Sequence, residues 1–431
     1  AQCRFYGLRG PLEEAERVFG EAAERVAALA DEAAEAPRIA CRLLAEQANF
    51  SRRRGDYPQA IQVAQAAIAL AQASAEATCE ARAAVVWGEA LWRQSKYEEA
   101  RRQLECALSL ARRLPGGEEI ETTCLNGLAG VSWRQGDFCR ARAYLEDSLR
   151  LAIKAGEARR QSVALGNLGV VAVEQGEYEA AEQHYRQALE IEREIGEREG
   201  EGVSLLSLGN LSLYLGAYAE AERRYHQALA IHREVGARQN EAWTLGNLGL
   251  LAHYRDDQET ALQHAQEALR MAQELGHQTM QAAMWLKVGH ALAGLERLEE
   301  SASAYGQSLA QRRDLEQADM ATEPLAGLAR VCQSEGDLVQ AQAHVEEILE
   351  HLESGGTLDG TIAPFQVYLI CYRVLEASGD SHAREILVTA HDQLQERAAR
   401  ITDPGLRRSF LENVAAHRDL VELNERMKDA E

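Results

Sequence analysis

The amino-acid sequence predicts an all-α fold in which pairs of helices repeat along the chain as a solenoid. Its composition favours helices, because alanine, leucine, glutamate and arginine dominate the 431 residues and only seven prolines interrupt them. The second observation is a period, since similar segments recur at steps of 40 or 41 residues. Such a chain can extend as one array, because each repeat packs only on its neighbours.

The repeat is clearest where the sequence reads Gly-Glu-Tyr-Glu-Ala-Ala at 176–181 and Gly-Ala-Tyr-Ala-Glu-Ala at 216–221. Weaker copies keep the same register on both sides. Their centres stand at positions 57, 97, 138, 178, 218, 258, 298 and 338. Eight centres at one step predict eight full repeats.

A column of small residues shows how each repeat folds. Nine residues before the centres stand Ala48, Gly88, Ala129, Gly169, Gly209, Gly249, Gly289 and Ala329. Glycine inside a helix costs about 1 kcal/mol relative to alanine, so its recurrence indicates that two helices cross closely there. We therefore expect each repeat to be a helix pair whose second helix begins near the centre. C-cap glycines are expected to end four of the second helices, at Gly156, Gly196, Gly236 and Gly276.

These patterns resemble the tetratricopeptide repeat (TPR) family. Its Trp-x-x-Leu-Gly pattern is matched by Trp285-x-x-Val288-Gly289, and its Ala-x-x-x-Phe pattern by Ala181-x-x-x-Tyr185. The resemblance implies a right-handed superhelix whose first helices line a concave surface, and a function in binding. Two features depart from the family pattern: the period exceeds the usual 34 residues, and the closing proline is missing. Both fit a long-repeat subclass with a longer second helix.

The two ends of the array differ. Residues 1–36 are expected to be a truncated first repeat, because Ala15 and Phe19 match the start of a second helix. We therefore expect the chain to be part of a longer polypeptide. The eight repeats occupy 37–357, a degenerate ninth helix pair 358–401, and a C-terminal capping helix 402–431. Asp403 followed by Pro404 is a good start for that helix.

The last segment carries the strongest hint of a biological role. Its Asp-Pro-x-Leu-Arg-x-Ser-Phe-Leu-x-Asn-Val run at 403–414 looks like the tail of large bacterial signalling proteins. In those proteins a nucleotide-switch ATPase of the STAND class, or another effector domain, precedes a TPR arm. The resemblance implies a sensor arm that acts on an upstream effector domain of the same polypeptide. A free-standing scaffold that assembles proteins is the alternative.

Charge and motifs exclude other function classes. The formal net charge of −22 disfavours nucleic acid and anionic membranes as partners. The eight cysteines form no Cys-x-x-Cys pair, so we expect no metal site and a cytoplasmic protein. The sequence contains no phosphate-binding loop and no hydrolase or metalloprotease motif. We therefore expect neither enzymatic activity nor a cofactor.

Candidate binding residues follow from the expected concave face. Arg53, Arg93 and Arg134 share one column beside Trp92 and Trp133, and an arginine column suits carboxylates or phosphates. An acidic protein or peptide segment, or a small anionic effector, is the expected partner. The alternative is structural, because these arginines lie in last helical turns where a cation meets the helix dipole, and the tryptophans can pack between repeats.

Further polar residues of the expected first helices are also candidates. Asn126 and Asn210 are added to the candidate binding residues, and His290 and Arg330 occupy the same register position as Asn210. A second, less charged patch is expected from Tyr214, Trp243, His253 and Tyr254. For this patch, core packing is the favoured interpretation.

Overall fold

The computed structural model describes residues 12–28, 35–94, 96–358 and 360–429. Within these ranges the chain forms 21 α-helices and no strand. The all-α, TPR-like solenoid predicted from the sequence is therefore confirmed. Of the expected first repeat, the described part is mainly the helix α1, while residues 1–11 and 29–34 lie outside the described residues.

The chain divides into two compact units, Ala1–Val171 and Ala172–Glu431. The helices of the first unit are α1 (Leu12–Ala27), α2 (Ala36–Arg54), α3 (Tyr57–Ala73), α4 (Ala77–Arg93), α5 (Tyr97–Ala111), α6 (Glu118–Arg134) and α7 (Phe138–Ala155). The division falls near the end of α8 (Ala158–Glu174). Consecutive helices pack on each other from α1 to α7.

The second unit continues the helix pairs. Its helices are α9 (Tyr178–Ile195), α10 (Arg198–Tyr214), α11 (Tyr218–Val235), α12 (Arg238–Tyr254), α13 (Gln258–Glu274), α14 (Gln278–Gly294), α15 (Leu298–Asp314), α16 (Ala318–Glu335), α17 (Leu338–Glu353), α18 (Pro364–Ser378), α19 (Ala383–Arg400), α20 (Pro404–Glu412) and α21 (Ala415–Asp429). The even-numbered helices α10 to α16 are the first helices of their pairs and carry the candidate site.

Local sequence sets the helix boundaries. An aspartate precedes several second helices and its side chain accepts a hydrogen bond from the backbone N–H three residues on, as at Asp56, Asp137, Asp257 and Asp337. At the other end, left-handed C-caps occur at Gly156, Gly196 and Gly236. Gly276 has φ +65° and follows the C-cap Leu275. The predicted closing glycines thus adopt the conformation that glycine tolerates best.

The close helix crossings are visible around two tyrosines. A Cβ on Gly209 would lie 2.6 Å from the ring of Tyr225, and one on Gly289 would lie 2.6 Å from the ring of Tyr305. Both tyrosine side chains are fully buried. The glycines in the first helices therefore make room for aromatic rings from the second helices, as the small-residue column predicted.

The C-terminal segment departs from the single helix expected there. Asp403 caps α20 by accepting a hydrogen bond from the N–H of Leu406 at 2.7 Å, but the helix ends at Glu412 and α21 begins at Ala415. The carbonyl of Asn413 accepts a hydrogen bond from the hydroxyl of Tyr218 at 3.2 Å. Its side-chain amide donates to the carbonyl of Gly216 at 3.1 Å. These tertiary hydrogen bonds engage the backbone carbonyl and the side-chain amide of Asn413, at the position where a single continuous helix would run.

Candidate binding surface and pocket

The predicted arginine column lies on aromatic rings of its own helices. In each of three first helices of the first unit, a guanidinium stacks on a nearby ring at 4.6–5.9 Å from its centroid: Arg53 on Phe50, Arg93 on Trp92, and Arg134 on Trp133. Arg53 and Arg93 are exposed and Arg134 is half-buried. Cation–π stacking of this kind contributes about 0.5–1 kcal/mol at exposed sites and fixes the direction of each charge.

The two tryptophans pack between repeats. The ring of Trp92 lies 3.4 Å from the position that a Cβ of Gly130 would take on α6. The indole N–H groups of Trp92 and Trp133 are buried, and within the described residues neither has a hydrogen-bond partner. This surrounding favours the packing interpretation for both indoles. Asn126 accepts a hydrogen bond from the hydroxyl of Ser148 at 2.9 Å.

In the second unit, a row of hydrogen-bonded polar side chains joins three consecutive first helices. Lys287 on α14 donates to Oδ1 of Asn247 on α12. Nδ2 of Asn247 donates to Oδ1 of Asn210 on α10 at 2.7 Å. The same oxygen accepts from the hydroxyl of Tyr225 at 2.9 Å. We call Asn210, Asn247 and Lys287 the polar row.

Lys287 is the most unusual member of the polar row. It is 3% exposed and its ammonium lies 5.8 Å from the ring centroid of Trp243. Burial lowers the pKa of Lys287 to about 7, because the low-dielectric surroundings disfavour the charged form. The lysine therefore changes its charge near neutral pH.

The predicted second patch is not one cluster of direct contacts. His253 stacks on His290 with ring centroids 5.5 Å apart, and its Nδ1 lies 2.8 Å from Oε1 of Gln258. Tyr254 stacks on Tyr218 at 6.2 Å. Trp243, by contrast, faces Lys287.

Tyr214 contacts the C-terminal helices instead. Its hydroxyl accepts hydrogen bonds from Arg397 at 2.8 Å and from the hydroxyl of Tyr178 at 3.2 Å. Its ring centroid lies 5.6 Å from that of the fully buried Phe410. This arrangement fits the packing interpretation favoured for the residue.

A pocket opens beside the polar row, between α14, α15, α16 and α18. It is small, with an accessible volume of about 10 Å³, and the polar residues of its lining are His290, Tyr305, Glu323, Arg330 and Gln366. The Tyr305 hydroxyl accepts a hydrogen bond from Nη2 of Arg330 at 2.9 Å and lies 2.9 Å from Nδ1 of His290. We call these five residues the polar pocket.

Of the two charged residues of the polar pocket, Arg330 lacks an oppositely charged partner in the described part of the chain. Within the described residues, no carboxylate lies within ion-pair distance of Arg330, which is half-buried. Burial, together with nearby His253, Arg330 and Lys287, lowers the pKa of His290 well below its ordinary value. Burial also raises the pKa of the Glu323 carboxyl group. The carboxylate of Glu323 accepts the backbone N–H groups of Ile362 and Ala363 at 3.1 and 3.2 Å.

Sequence reasoning identified only part of this arrangement. It named Asn210 and His253, and it noted His290 and Arg330, but it missed Lys287, Glu323 and Tyr305. A usable signal was present, because Lys287 and Glu323 are charged residues in first helices whose neighbouring positions are almost entirely apolar or small. Among the residues that the structure describes, no cluster of three or more His, Cys, Asp or Glu side chains could hold a metal ion. No described helix is long and apolar enough to span a membrane.

Comparison with known proteins gives one family. The tetratricopeptide repeat model matches residues 38–113, 79–154, 119–194 and 200–274. Together the matches cover 38–194 and 200–274, which is more than half of the chain. A search among curated proteins found no significant match.

Several solved structures share the fold at low sequence identity. A Signal Transduction ATPase with Numerous Domains (STAND) protein with a tetratricopeptide repeat sensor, from Pyrococcus horikoshii, is 16% identical with a TM-score of 0.50. The match covers 86% of this chain and 55% of that one. A Rap protein complexed with Competence and Sporulation Factor is 16% identical with a TM-score of 0.51, over 82% of this chain and 99% of that one.

A third similar structure is the Rap conjugation gene regulator of the plasmid pLS20 in complex with the Phr* peptide. It is 15% identical to this chain, with a TM-score of 0.52, and the match covers 66% of this chain and 76% of that one. At such identities the three structures show a shared fold.

Proposed function

Because the chain belongs to the tetratricopeptide repeat family, whose fold is suited to protein interaction, we propose that it binds a protein or peptide segment along the first helices of its second unit. The polar row carries this proposal. An asparagine amide can donate to a peptide carbonyl and accept from a peptide N–H. Oδ1 of Asn210 is already occupied by two donors, whereas its amide N–H₂ has no acceptor among the described residues.

The hydrogen bonds within the row support recognition rather than packing alone. Lys287 and Asn247 hold the Asn210 amide in one orientation, and Asn210 itself is exposed. Preorganised polar groups lose less conformational entropy when a ligand arrives. An extended peptide backbone that crosses α10 and α12 would therefore meet a donor already aimed at its carbonyl groups.

The finer proposal is that the chain serves as the sensor arm of a larger bacterial signal-transduction ATPase or regulator in the cytoplasm. It has no catalytic role of its own in this scheme. Three observations support this function: the resemblance at 403–414, the fold shared with a STAND protein that has a TPR sensor, and the fold shared with peptide-bound Rap proteins. The complete gene discriminates it from a free-standing scaffold, because the sensor requires an upstream effector domain.

A phage-displayed library of random unstructured peptides, selected on the purified chain, tests the binding function. We expect selected peptides to bind the Asn210→Ala/Asn247→Ala variant at least tenfold more weakly, because each lost hydrogen bond contributes about 1 kcal/mol. Fluorescence anisotropy measures the affinity. Gln187→Ala, exposed on the second helix α9, is the matched control. Equal affinity for the double variant and the control would contradict the proposal.

The exposed Arg93, with Arg53 and Arg134, remains a second candidate contact for an acidic segment. The stacking of Arg93 on Trp92 holds its guanidinium in place, which favours bidentate recognition of a carboxylate. The Arg93→Glu/Arg134→Glu variant should lose binding to acidic peptides while its circular dichroism stays unchanged. Unaltered affinity for such peptides would remove this surface from consideration.

A further inference from the structure

The connection between α17 and α18 is longer than its counterparts in the second unit. From α9 to α16, two or three residues join each second helix to the next first helix, whereas residues 354–363 separate α17 from α18. We call residues 354–363 the linker. Gly355 and Gly360 have φ +90° and +79°, which glycine tolerates best. The linker bends at these glycines and contacts α16 before α18 begins.

Two carboxylates of α16 hold the linker by its backbone. Oδ1 of Asp319 accepts the N–H of Thr357 at 3.0 Å. One turn further along the helix, the two oxygens of Glu323 accept the N–H groups of Ile362 and Ala363 at 3.1 and 3.2 Å. Every residue except proline carries such a donor. The carboxylate of Glu323 can therefore hold any extended segment that presents two consecutive backbone N–H groups.

An aliphatic side chain of the linker completes this contact. Ile362 is half-buried and packs against the cluster of buried residues that α10 to α15 form. Trp243, Tyr254 and Trp285 of the first helices pack against the same cluster. Trp243 is also the ring that faces Lys287. The linker and the polar row therefore share one apolar surface.

The contact between Glu323 and the linker continues the polar row by one first helix. The row ends at Lys287 on α14, and Glu323 lies on α16, the next first helix. The two side chains are close enough to interact, since burial raises the pKa of Glu323 and the charge of Lys287 opposes that rise. A peptide that follows the row from α10 to α14 would therefore meet the linker at α16.

We propose that residues 361–363 are an internal ligand of this surface, and that the partner segment displaces them. The partner is then an extended, uncharged segment with an aliphatic side chain in place of Ile362 and two consecutive N–H groups for Glu323. An acidic residue there would meet the Glu323 carboxylate, and a proline would remove a donor. The linker vacates the space that the segment fills. The identity of the occupant rests on the peptide binding proposed above.

Displacement regulates the affinity of the site. A partner binds only the fraction of molecules in which the linker has left, and its apparent affinity is reduced by that fraction. The partner restores the hydrogen bonds to Glu323 that the linker gives up, so the exchange depends mainly on the aliphatic side chain. A substitution that weakens the hold on Ile362 should therefore strengthen binding of the partner, whereas a linker that only connects two helices predicts no such gain.

The first experiment needs no partner. The probe is acetyl-Gly-Thr-Ile-Ala-amide, which has the sequence of residues 360–363, and saturation-transfer NMR measures its binding to the full chain. We expect millimolar binding to the Ile362→Gly variant and at least tenfold weaker binding to the wild type, whose site is filled. Ile362→Val keeps the aliphatic side chain and should behave as the wild type. Circular dichroism checks that both variants are folded.

A matched peptide tests the role of Glu323. N-methylation of the alanine removes one N–H donor and should weaken binding to Ile362→Gly about tenfold, because hydrogen bonds to charged groups are the stronger ones. Adding Glu323→Gln to this variant should remove most of the difference between the two peptides. No binding of the unmodified peptide to folded Ile362→Gly at about 10 mM, or equal binding of the two peptides, would overturn the inference whether or not the polar row binds a peptide.

Peptides selected on the purified chain test displacement itself. They should bind Ile362→Gly about tenfold more tightly than the wild type, and their binding to the wild type should accelerate amide hydrogen exchange at Ile362 and Ala363. Unchanged affinity together with slower exchange would show that the linker stays in place, against the inference. If the linker peptide binds but no peptide can be selected, the internal ligand is supported and only the peptide-binding function of the polar row fails.

Discussion

The amino group of Lys287 lies among buried side chains, and its effect on the free energy of unfolding depends on pH. Its ammonium has one hydrogen bond, to Asn247, and burial lowers its pKa to about 7. In the unfolded chain a lysine titrates near 10.4. Between these two values the unfolded state binds more protons than the folded state, so the free energy of unfolding rises with pH.

The Lys287→Met variant isolates this effect. We expect the difference in unfolding free energy, wild type minus variant, to increase by up to about 1.4 kcal/mol per pH unit between pH 7 and 9. Urea unfolding at several pH values measures it. The comparison cancels the titrating groups that do not interact with Lys287. A difference that stays constant or falls with pH would show that the lysine remains charged in the fold.

Two glycines in the same repeat should respond to alanine in opposite directions. A Cβ on Gly289 would lie 2.6 Å from the buried ring of Tyr305, whereas a Cβ on Gly306 would meet nothing within 4 Å. We expect Gly289→Ala to destabilise the protein by about 1–3 kcal/mol through overpacking. Gly306→Ala should stabilise it by about 0.5–1 kcal/mol through helix propensity. Thermal unfolding checks both, and similar shifts for the two variants would contradict the close crossing.

At the level of single residues, the sequence predicted where small residues are needed in the helices better than it predicted the hydrogen-bond partners of polar side chains. The small residues were predicted because a glycine inside a helix lowers stability unless a neighbouring element needs the space. The polar pocket was not predicted. Tyr305 lies on a second helix, and Gln366 belongs to the degenerate ninth pair, where the register of the repeat is lost. Which donors remain unused depends on hydrogen bonds between elements, and no periodicity in the sequence encodes them.

Among the elements, the C-terminal segment is hydrogen-bonded to the first helix that lies wholly in the second unit. Glu179 at the start of α9 accepts hydrogen bonds from the backbone N–H and the hydroxyl of Thr402, at 2.6 and 2.7 Å, and from the N–H of Asp403 at 3.3 Å. These contacts span more than 220 residues of sequence. They hold the turn that precedes α20.

Glu179→Ala should loosen that turn selectively. We expect amide hydrogen exchange at 402–406 to become at least tenfold faster, because three hydrogen bonds lose their acceptor. Glu190→Ala, exposed on the same helix, is the control and should leave the exchange unchanged. If exchange at 402–406 matched that of the wild type, packing of Phe410 between Tyr178 and Tyr214 would be sufficient to hold the segment.

Helix positions were largely predictable, and one helix break was not. The eight repeat centres are the first residues of eight second helices, from Tyr57 to Leu338, because caps and apolar periodicity act locally. The break at Asn413 was missed because its carbonyl bonds to Tyr218, which is 195 residues distant in sequence. A local pattern cannot report a hydrogen bond of that range.

For the whole molecule, one period was sufficient to predict the fold, because each repeat buries its apolar face mainly on its neighbours. The same locality explains why function was harder to predict. The polar row runs across α10, α12 and α14, and it depends on which first helices carry Asn210, Asn247 and Lys287 rather than small or apolar residues. The repeat pattern specifies what the repeats share, whereas the candidate site arises from how they differ.

Packing between neighbouring repeats also predicts how far along the chain a destabilising substitution acts. Leu104 in the first unit is fully buried, and Cβ atoms on Gly88 and Gly127 would lie 2.7 and 3.1 Å from its side chain. Leu104→Ala should cost about 2–5 kcal/mol and accelerate amide exchange in α4 to α6. Exchange in α14 to α16 should stay unchanged, because nearest-neighbour coupling weakens with each repeat.

The reciprocal substitution completes the test. Leu245→Ala removes a comparably buried side chain, 1% exposed, from α12. It should accelerate exchange in α12 to α14 and leave α4 to α6 unaffected. Hydrogen exchange followed by mass spectrometry resolves both regions in one experiment. If either substitution accelerated exchange equally along the whole chain, the array would unfold as one cooperative unit, and binding at the polar row would then be sensed as far away as the first repeats.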